Sequence, residues 1–239
     1  MHIAHMHTLD PGQLVADIAH DQPATIVVFQ RHKIEFCCGG KIPLREACAR
    51  LGLDETAILD QLQQAMHPAA DDRNWREASL ESLATYILRH QHDPLSAEMP
   101  RLHAMLQRVV SRHAERAGHR VEQLLGVYET LQHEWFVHAR HAEDGLFAVL
   151  TQANDDDNQR RELASSLPGV VGLMRAEHAA FVPLLADVRR LTDDFTPPDW
   201  ACPTFRGLYH GLGQLQADLT AHMTLEHEVL FPRLMTSLR

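Results

Sequence analysis

The segment AHMTLEHEVLFP at residues 221–232 places groups that can bind a metal ion or carry a proton in an otherwise apolar stretch. An α-helix turns by about 100° per residue, so residues three, four and seven apart share one face. On a helix, His222 and Glu226 therefore lie together on the apolar face. His227 and Glu228 fall roughly 120–140° away from His222, and we expect both to be solvated.

The same test finds three further histidines at the centre of apolar helical stripes: His92, His138 and His178. With a rise of about 1.5 Å per residue, each of the four lies roughly 20–30 Å from one end of its helical segment. Helices that alternate in direction bring the four side chains to a similar level. A single histidine on an apolar face is usually a core residue with one hydrogen bond, whereas four at one level, one per helix, indicate a shared ligand.

The buried carboxylate of Glu226 narrows the identity of that ligand. Burying an unpaired carboxylate costs several kcal/mol unless it coordinates a metal or finds a partner. Imidazoles and carboxylates on facing helices suit iron, manganese or zinc. A histidine-rich set with a bridging glutamate favours a pair of irons over a single zinc.

Four long helical patterns must position these residues, at about 79–117, 119–152, 158–192 and 202–237. The connections between them are short and rich in Gly, Pro, Asn and Asp, so neighbouring helices should be antiparallel. No segment has the alternating β-branched pattern of a strand. The sequence predicts an all-α fold whose larger part is an up-down-up-down four-helix bundle.

The region before the bundle has a pattern of shorter helices. Asp10 followed by Pro11 predicts the start of one helix, and Asp54 predicts the N-cap of another. The polar stretch HPAADDRNW predicts a linker. We therefore expect a small helical domain at residues 1–67, a linker at 68–76 and the bundle at 77–239.

Four cysteines lie in or near these elements. Cys37 and Cys38 are adjacent, precede two glycines and have basic residues on both sides. Such a setting lowers a thiol pKa, so we expect this pair to be reactive or to contact iron, although cysteines are also ordinary core residues. Cys48 and Cys202 are predicted to be structural.

Composition limits the partners and the location. The formal net charge of -10 and the lack of a Lys/Arg cluster argue against nucleic acid and anionic membranes. No run of about 18 apolar residues predicts a membrane span, and the N-terminus lacks a signal peptide pattern. We expect a cytoplasmic protein, either a monomer or a homodimer.

Two motifs resemble those of a known family. His222-x-x-x-Glu226 followed by VLFP is similar to the metal-binding motif of hemerythrin-like di-iron domains, and FCCGGK at 36–41 resembles the small ScdA-type domain that precedes this bundle in the repair-of-iron-centres family. The resemblance covers nearly the whole chain. It implies a pair of non-haem, carboxylate-bridged irons, with His92, His138, His178, His222 and Glu226 among the ligands.

The chain departs from this family pattern at the second bridging glutamate. The pattern places it four residues after His138, where this sequence has Ala142. A π-bulge would bring residues five apart onto one face, which makes Glu143 our expected second bridge. Glu134 and His141 are the alternatives.

The second residue in question is Asp218, one turn before His222. It could orient the His222 ring as a hydrogen-bond acceptor, or it could be a partly exposed charge of the bundle.

The resemblance implies a protein of the nitrosative and oxidative stress response that binds nitric oxide or supplies iron to damaged iron-sulfur proteins. A hemerythrin-like carrier or sensor of dioxygen is the main alternative, although it leaves the cysteine domain without a role. A ferritin-like oxidase would use Glu-x-x-His motifs, which the sequence lacks. A purely structural bundle would leave the four histidines without metal. No catalytic triad is evident, so turnover of nitric oxide stays an open question at this stage.

Overall fold

The computed structural model describes residues 9–37, 40–66, 73–147, 150 and 157–237. Within these ranges the chain is helical and has no strand beyond an isolated bridge between Leu14 and Pro43. It forms two compact units. One contains Met1–Asp71 with Thr196–Gly211, and the other contains Asp72–Phe195 with Leu212–Arg239. The all-α fold predicted from the helical periodicity is confirmed.

The first unit is built from short helices around a small apolar core. They are α1 (Val15–Asp21), a 3-10 turn (Pro23–Thr25), α2 (Ile26–Arg31), α3 (Leu44–Leu51) and α4 (Glu55–Met66). Phe29, Leu44 and Leu62 are fully buried in this core. Asp54 caps α4 as predicted, because its Oδ1 accepts a hydrogen bond from the backbone N–H of Thr56 at 2.9 Å.

The predicted start of the first helix is wrong. Asp10 Oδ1 accepts a hydrogen bond from the backbone N–H of Gly12 at 2.8 Å, which closes a turn instead of capping a helix. Helix α1 begins four residues later than predicted, at Val15. The N–H of Val15 donates to the carbonyl of Ile42 at 3.0 Å, so a partner distant in sequence replaces the local cap.

The four long helical segments lie in the predicted places, and most of their residues belong to the second unit. The first segment is α5 (Leu80–Ile87), which continues through a π-helical turn (Leu88–His92) into α6 (Asp93–Ala117). The second is α7 (His119–His141) with a π-helical turn (Ala142–Phe147), and the third is α8 (Asp157–Leu191). The fourth is α9 (Pro203–Leu225), followed by a π-helical turn (Glu226–Leu230) and α10 (Phe231–Ser237). Helix α7 packs against α6 and α8. The residues up to Gly211 of α9 belong to the first unit.

One helical stretch, Ser165–Leu191 within α8, is long and apolar enough to cross a membrane by length and composition alone. The stretch also carries Glu177 and His178, whose side chains are buried. Leu167, Met174 and Phe181 on the same side are buried as well. One side of this helix therefore packs in the core of the bundle.

Candidate metal centre

Four histidines from four different helical segments meet in the interior of the second unit. His92, His138 and His222 are fully buried, and His178 is 2% exposed. The ring centroid of His138 lies 4.5 Å from that of His178 and 5.2 Å from that of His222. The structure therefore brings these four side chains together, as the sequence predicts. Glu226, also fully buried, joins them.

The Nε2 atoms of the histidines point towards one another. His138 Nε2 lies 3.1 Å from His222 Nε2 and 3.3 Å from His178 Nε2. Glu226 Oε2 is 3.3 Å from His178 Nε2 and 3.9 Å from His222 Nε2. One potential ligand atom from each of His92, His138, His222 and Glu226 lies within 4.8 Å of all the others.

The outer nitrogen of each ring, Nδ1, contacts a different side chain. His92 Nδ1 is 3.1 Å from Glu143 Oε1, His138 Nδ1 is 3.2 Å from Glu177 Oε2, His178 Nδ1 is 2.9 Å from His227 Nε2, and His222 Nδ1 is 3.3 Å from Gln91 Oε1. Oxygen atoms can only accept here, so three of the rings donate from Nδ1–H. Their Nε2 atoms then carry lone pairs that face the centre.

Such an arrangement is suited to a cation. Lone pairs on His138 and His222 at 3.1 Å repel each other unless a cation or a proton lies between them. Among the described residues, His92 Nε2 and both carboxylate oxygens of Glu226 are buried and have no hydrogen-bond partner. Buried polar atoms are almost always satisfied in folded proteins. Coordination of a metal by these atoms would satisfy them, so the donor set fits the iron that the sequence predicts.

The environment also sets the protonation states needed for coordination. Burial lowers the pKa of His178 to about 2 and that of His222 well below its ordinary value, which keeps both rings neutral. Burial lowers the pKa of His138 as well, against the opposing effect of Glu177. Burial, with the charge of Glu177, raises the pKa of Glu226 to about 8. A metal ion would supply the positive charge that favours the carboxylate.

The second bridging glutamate was the open point of the sequence prediction. Ala142 is buried in the apolar core and offers no ligand. The predicted π-helical turn is present, and it brings Glu143 to the outer nitrogen of His92; its side chain is 44% exposed. His141 lies against Glu177, and Glu134 is not part of the described cluster of ligand atoms. None of these groups joins the inward-facing atoms.

His227 differs from the sequence prediction, whereas Asp218 matches the second of its two alternatives, an exposed charge of the bundle. His227, expected to be solvated, is half-buried and contacts His178, because the π-helical turn at Glu226–Leu230 changes the angular position of the residues within it. Asp218 accepts a hydrogen bond from Gln214 Nε2 at 2.8 Å, and the His222 ring is held by Gln91 instead.

Sequence reasoning missed Glu177 and Gln91. Glu177 is 9% exposed and lies between His138 and His141. Burial raises its pKa, but the hydrogen bonds from the two histidines outweigh that effect and lower it, so Glu177 is a carboxylate. Each missed residue directly precedes a candidate ligand in the chain. Helical periodicity does not place adjacent residues on one face, so it could not identify these two. Their position next to a candidate ligand was the only signal in the sequence that could have pointed to them.

The described cysteines lie in the first unit. Cys37 and Cys202 are half-buried, Cys48 is 1% exposed, and all three are thiols. Burial raises the pKa of Cys48, in keeping with the predicted structural role. Cys38 lies outside the described residues, so the predicted role of the adjacent pair stays a prediction.

Comparisons with known proteins agree with this site. The family model "Hemerythrin HHE cation binding domain" matches residues 83–234, and the model ScdA_N, a domain of unknown function (DUF542), matches residues 11–66. The expected cation site, with iron as a suitable ion, is confirmed by the matched family together with the buried histidine and glutamate cluster.

Curated relatives match along almost the whole chain. The chain is 33% identical over 223 residues to "Iron-sulfur cluster repair protein YtfE" of Enterobacter sp. (strain 638), covering 93% of this chain and 94% of the relative. It is 32% identical over 219 residues to the protein of the same name from Edwardsiella ictaluri (strain 93-146), covering 92% and 95%. The resemblance to the repair-of-iron-centres family is therefore confirmed. The chain belongs to the hemerythrin HHE cation-binding family, within the group that joins this bundle to an ScdA-type N-terminal domain.

Proposed function

We propose that the chain is an iron protein that repairs damaged iron-sulfur clusters during nitrosative and oxidative stress. The inward-facing set of four buried imidazoles and one buried carboxylate carries this proposal. His92, His138, His178, His222 and Glu226 would hold a pair of non-haem irons. The names of the relatives and the presence of both family domains support the repair role.

The residues around the ligands hold the site in position before iron binds. Glu143, Glu177, His227 and Gln91 each engage one outer ring nitrogen, which fixes the direction in which Nε2 points. Trp135 packs against His92 at 5.2 Å between ring centroids, and its indole N–H donates to Ser96 at 3.1 Å. Apolar rings on this side exclude water from the donor atoms.

The candidate ligands would not supply two irons with equal numbers of carboxylates, and this difference bears on iron release. Within the described residues, Glu226 is the one carboxylate among the inward-facing atoms, while Glu143 and Glu177 lie at outer ring nitrogens. A second iron in this site would therefore have fewer charged ligands than the first. We propose that this more weakly held iron is the one supplied to damaged clusters.

Bound iron would supply open coordination positions for a diatomic ligand. Nitric oxide is the small ligand in this proposal, and damaged iron-sulfur proteins are the clients. The family relationship and the negative net charge fit action in the cytoplasm, without nucleic acid or membrane as partners. The protein would act as a monomer or a homodimer.

Reactivation of a damaged [4Fe-4S] dehydratase tests the proposal. Iron-loaded full-length protein should restore activity to a dehydratase that has been treated with nitric oxide, and chelator-treated protein should not. His222→Ala should lose iron and repair activity together. His103→Ala is the matched control, because His103 lies on α6 and contacts Glu129 away from the cluster. Equal reactivation by the iron-loaded and the chelator-treated protein would refute the repair role.

A dioxygen carrier or sensor is the second candidate, because the hemerythrin-like bundle on its own is compatible with that role. Iron-loaded protein would then show reversible, oxygen-dependent absorption changes and no effect on the damaged dehydratase. Replacing Cys37 and Cys38 by alanine separates the two functions further. A carrier would keep its dioxygen chemistry, whereas a repair protein would lose protection of cells against nitric oxide while retaining iron.

A further inference from the structure

His178 differs from the other inward-facing histidines in the partner of its outer nitrogen. Each of the other three rings faces a side-chain oxygen at Nδ1, and these rings belong to His92, His138 and His222. His178 Nδ1 lies 2.9 Å from another imidazole nitrogen, Nε2 of His227. An oxygen that can only accept fixes the proton of its histidine on Nδ1, but a second imidazole can either donate or accept. The other partner of His227 therefore decides which nitrogen of His178 carries the proton.

Arg175 on α8 is that partner. Its Nη1 atom lies 3.5 Å from His227 Nδ1 and makes a hydrogen bond to it. The Cζ atom of Arg175 also lies 5.3 Å from the centre of the Phe231 ring, so a cation–π contact helps to hold the guanidinium in place. A guanidinium can only donate hydrogen bonds. His227 Nδ1 therefore accepts, and the proton of the His227 ring lies on Nε2, from which it is donated to His178.

The same direction of donation continues into the metal centre. Because Nδ1 of His178 accepts from His227, the proton of the neutral His178 ring lies on Nε2. His178 Nε2 is hydrogen-bonded to His138 Nε2 at 3.3 Å. That nitrogen of His138 is an acceptor, because His138 donates from Nδ1 to Glu177 at 3.2 Å. His178 therefore donates to His138 at the centre of the cluster.

A chain of four hydrogen bonds thus runs in one direction through three imidazoles, from the Arg175 guanidinium to the Glu177 carboxylate. Its donor end is positive and its acceptor end is negative, which favours this direction. Glu226 Oε2 is also 3.3 Å from His178 Nε2, but it makes no hydrogen bond that would compete. The opposite direction would place an N–H of His227 against the N–H groups of Arg175.

We propose that Arg175 acts through His227 to hold His178 in the tautomer that cannot bind a metal ion. A histidine binds a metal through a nitrogen lone pair, and in this tautomer the inward nitrogen of His178 carries a proton instead. Among the described residues, the four ligand atoms within 4.8 Å of one another belong to the other three histidines and to Glu226. The metal-free protein therefore has one set of donors in place, and His178 joins it only after its proton moves to Nδ1.

Recruitment of His178 needs a balanced exchange of protons. One proton leaves His178 Nε2 for water, and the proton on His227 Nε2 passes across the 2.9 Å hydrogen bond to His178 Nδ1. His227 then takes up one proton from water at Nδ1, so both rings stay neutral. The new N–H of His227 faces the N–H groups of Arg175, and two donors cannot bond to each other. Arg175 must therefore withdraw before His178 can bind an ion.

This inference rests on the proposed function and concerns the second, more weakly held iron. The first ion has its donors in place, whereas the second has to recruit His178 against the hydrogen bond from His227. That cost weakens the binding of the second ion and so makes it easier to release. Arg175 is exposed on α8, so its guanidinium can withdraw without disturbing the core.

NMR spectroscopy of the metal-free full-length protein tests the tautomer directly. Long-range proton–nitrogen correlation spectra of isotope-labelled protein distinguish a protonated ring nitrogen from one with a lone pair. The His178 signals are assigned by their loss in His178→Gln. We expect Nε2 of His178 to be protonated in wild type and in Arg175→Lys, which keeps a cationic donor. Arg175→Leu should populate both tautomers.

His227→Glu is the reference for the opposite tautomer. A carboxylate only accepts, as Glu143 does from His92, so His178 should then carry its proton on Nδ1. A wild-type spectrum that resembles the spectrum of His227→Glu would overturn the proposal. An unchanged His178 tautomer in Arg175→Leu would overturn the assigned role of Arg175. Circular dichroism checks that each variant is folded.

Titration of the metal-free protein with Co²⁺, followed by absorption, measures the consequence for metal binding. Arg175→Leu should bind the second ion roughly 3- to 10-fold more tightly than wild type, because one opposing hydrogen bond is removed. The affinity for the first ion should not change. Arg190→Leu is the matched control, since Arg190 lies on the same helix and pairs with Asp187 away from the cluster.

Two results of this titration would overturn the proposal. One is an unchanged affinity of Arg175→Leu for the second ion. The other is equal tightening of both ions, which loss of a positive charge alone would produce. The NMR experiment needs no metal, so it distinguishes failure of this inference from failure of the repair function.

Discussion

The direction of each imidazole is the decisive feature at the scale of single residues. A buried histidine can present either ring nitrogen, and the partner of one nitrogen determines which atom is left for the metal. Here the outer partners differ chemically: two carboxylates, one amide and one histidine. Glu177 has the clearest effect, because it is a buried carboxylate that engages two histidines at once.

Replacing Glu177 by glutamine should weaken metal binding without unfolding the bundle. A neutral amide is a poorer acceptor for His138 Nδ1–H, and it cannot accept equally well from His141. Loss of such a partner typically reduces metal affinity by about 10- to 100-fold. Competition with a chromogenic iron chelator measures the affinity, and circular dichroism checks the fold.

Glu134→Gln is the matched control for this substitution. Glu134 lies one turn before His138 on α7, is half-buried and stands outside the cluster of described ligand atoms. The control variant should bind iron as the wild type does. If Glu177→Gln retains wild-type affinity, the assigned role of Glu177 in holding His138 is incorrect.

Glu226 predicts a pH dependence of the metal-free protein. Its pKa is raised from 4.5 to about 8 in the folded state, so folding favours the protonated form. The stabilisation is complete below the unfolded pKa and is lost as the pH rises through the folded pKa. Between about pH 6.5 and 8, the Glu226 effect by itself lowers the free energy of unfolding by roughly 1–2 kcal/mol. Deprotonation of the unfolded-state histidines offsets part of this fall, so the difference between wild type and Glu226→Gln isolates the contribution of Glu226.

Thermal unfolding of chelator-treated protein measures this dependence. Over that interval of pH, wild type should lose roughly 1–2 kcal/mol of stability relative to Glu226→Gln, since glutamine does not titrate. Below about pH 6 both proteins should become less stable as unfolded histidines take up protons. Parallel curves for the two proteins between about pH 6.5 and 8 would show that Glu226 does not have the raised pKa.

At the scale of elements, the π-helical turns are what adapts regular helices to the metal centre. Three of them occur in the described part of the bundle, and each contains a residue that touches the cluster: Gln91 and His92, Glu143, or Glu226 and His227. A π turn accommodates one extra residue and so changes which side chains face inward. This explains why regular 100° spacing assigned His222 correctly and His227 incorrectly.

In the first unit, close packing of backbone atoms restricts which residue can occupy position 40, three residues after Cys37. A Cβ atom at Gly40 would lie 2.8 Å from the carbonyl oxygen of Phe36 and 3.0 Å from the backbone nitrogen of Ala16. The Gly40 carbonyl also accepts a hydrogen bond from Ala16 N–H at 2.9 Å. Backbone atoms cannot move aside as a flexible side chain can, so this position requires glycine.

Gly40→Ala should therefore destabilise the first unit, by roughly 1–3 kcal/mol. Gly126→Ala is the control, because a Cβ atom there meets nothing within 4 Å and the residue lies within α7. The control should gain up to about 1 kcal/mol from helix propensity. Chemical denaturation with limited proteolysis of residues 9–66 measures both effects, and an unchanged stability of Gly40→Ala would contradict the close packing.

At the scale of the whole molecule, the two compact units do not correspond to one cut in the chain. The segment Thr196–Gly211 belongs to the N-terminal unit although it lies in the last third of the sequence. Within that unit, Gly207 approaches Ile26 so closely that a Cβ atom would lie 2.3 Å from Ile26 Cδ1. The predicted boundaries of 1–67, 68–76 and 77–239 remain a proposal. A single cut near residue 70 would separate Thr196–Gly211 from the rest of its compact unit.

Separation of the bundle from the N-terminal unit tests that point. A fragment of residues 73–239 would lose the partners of Phe205, Leu208 and Tyr209, which are 1%, 0% and 5% exposed in the full chain. We expect the fragment to have a lower thermal midpoint than the full chain and to bind a hydrophobic dye. Phe205→Ser within the fragment should reduce dye binding. A fragment that matches the full chain in both measurements would show that the segment needs no N-terminal partner.

Sequence alone determined the helical fold, the family and the inward-facing residues His92, His138, His178, His222 and Glu226. The fold and the inward-facing residues follow from a repeating angle of about 100° per residue and from the cost of burying polar groups. The family follows from the resemblance of two short motifs. All of these are local features of the chain. The tertiary structure decided the rest. It selected Glu177, Gln91 and His227 as ring partners and placed Glu143 at an outer nitrogen. Contacts between distant segments, and the irregular turns that permit them, do not follow from the regular helical repeat.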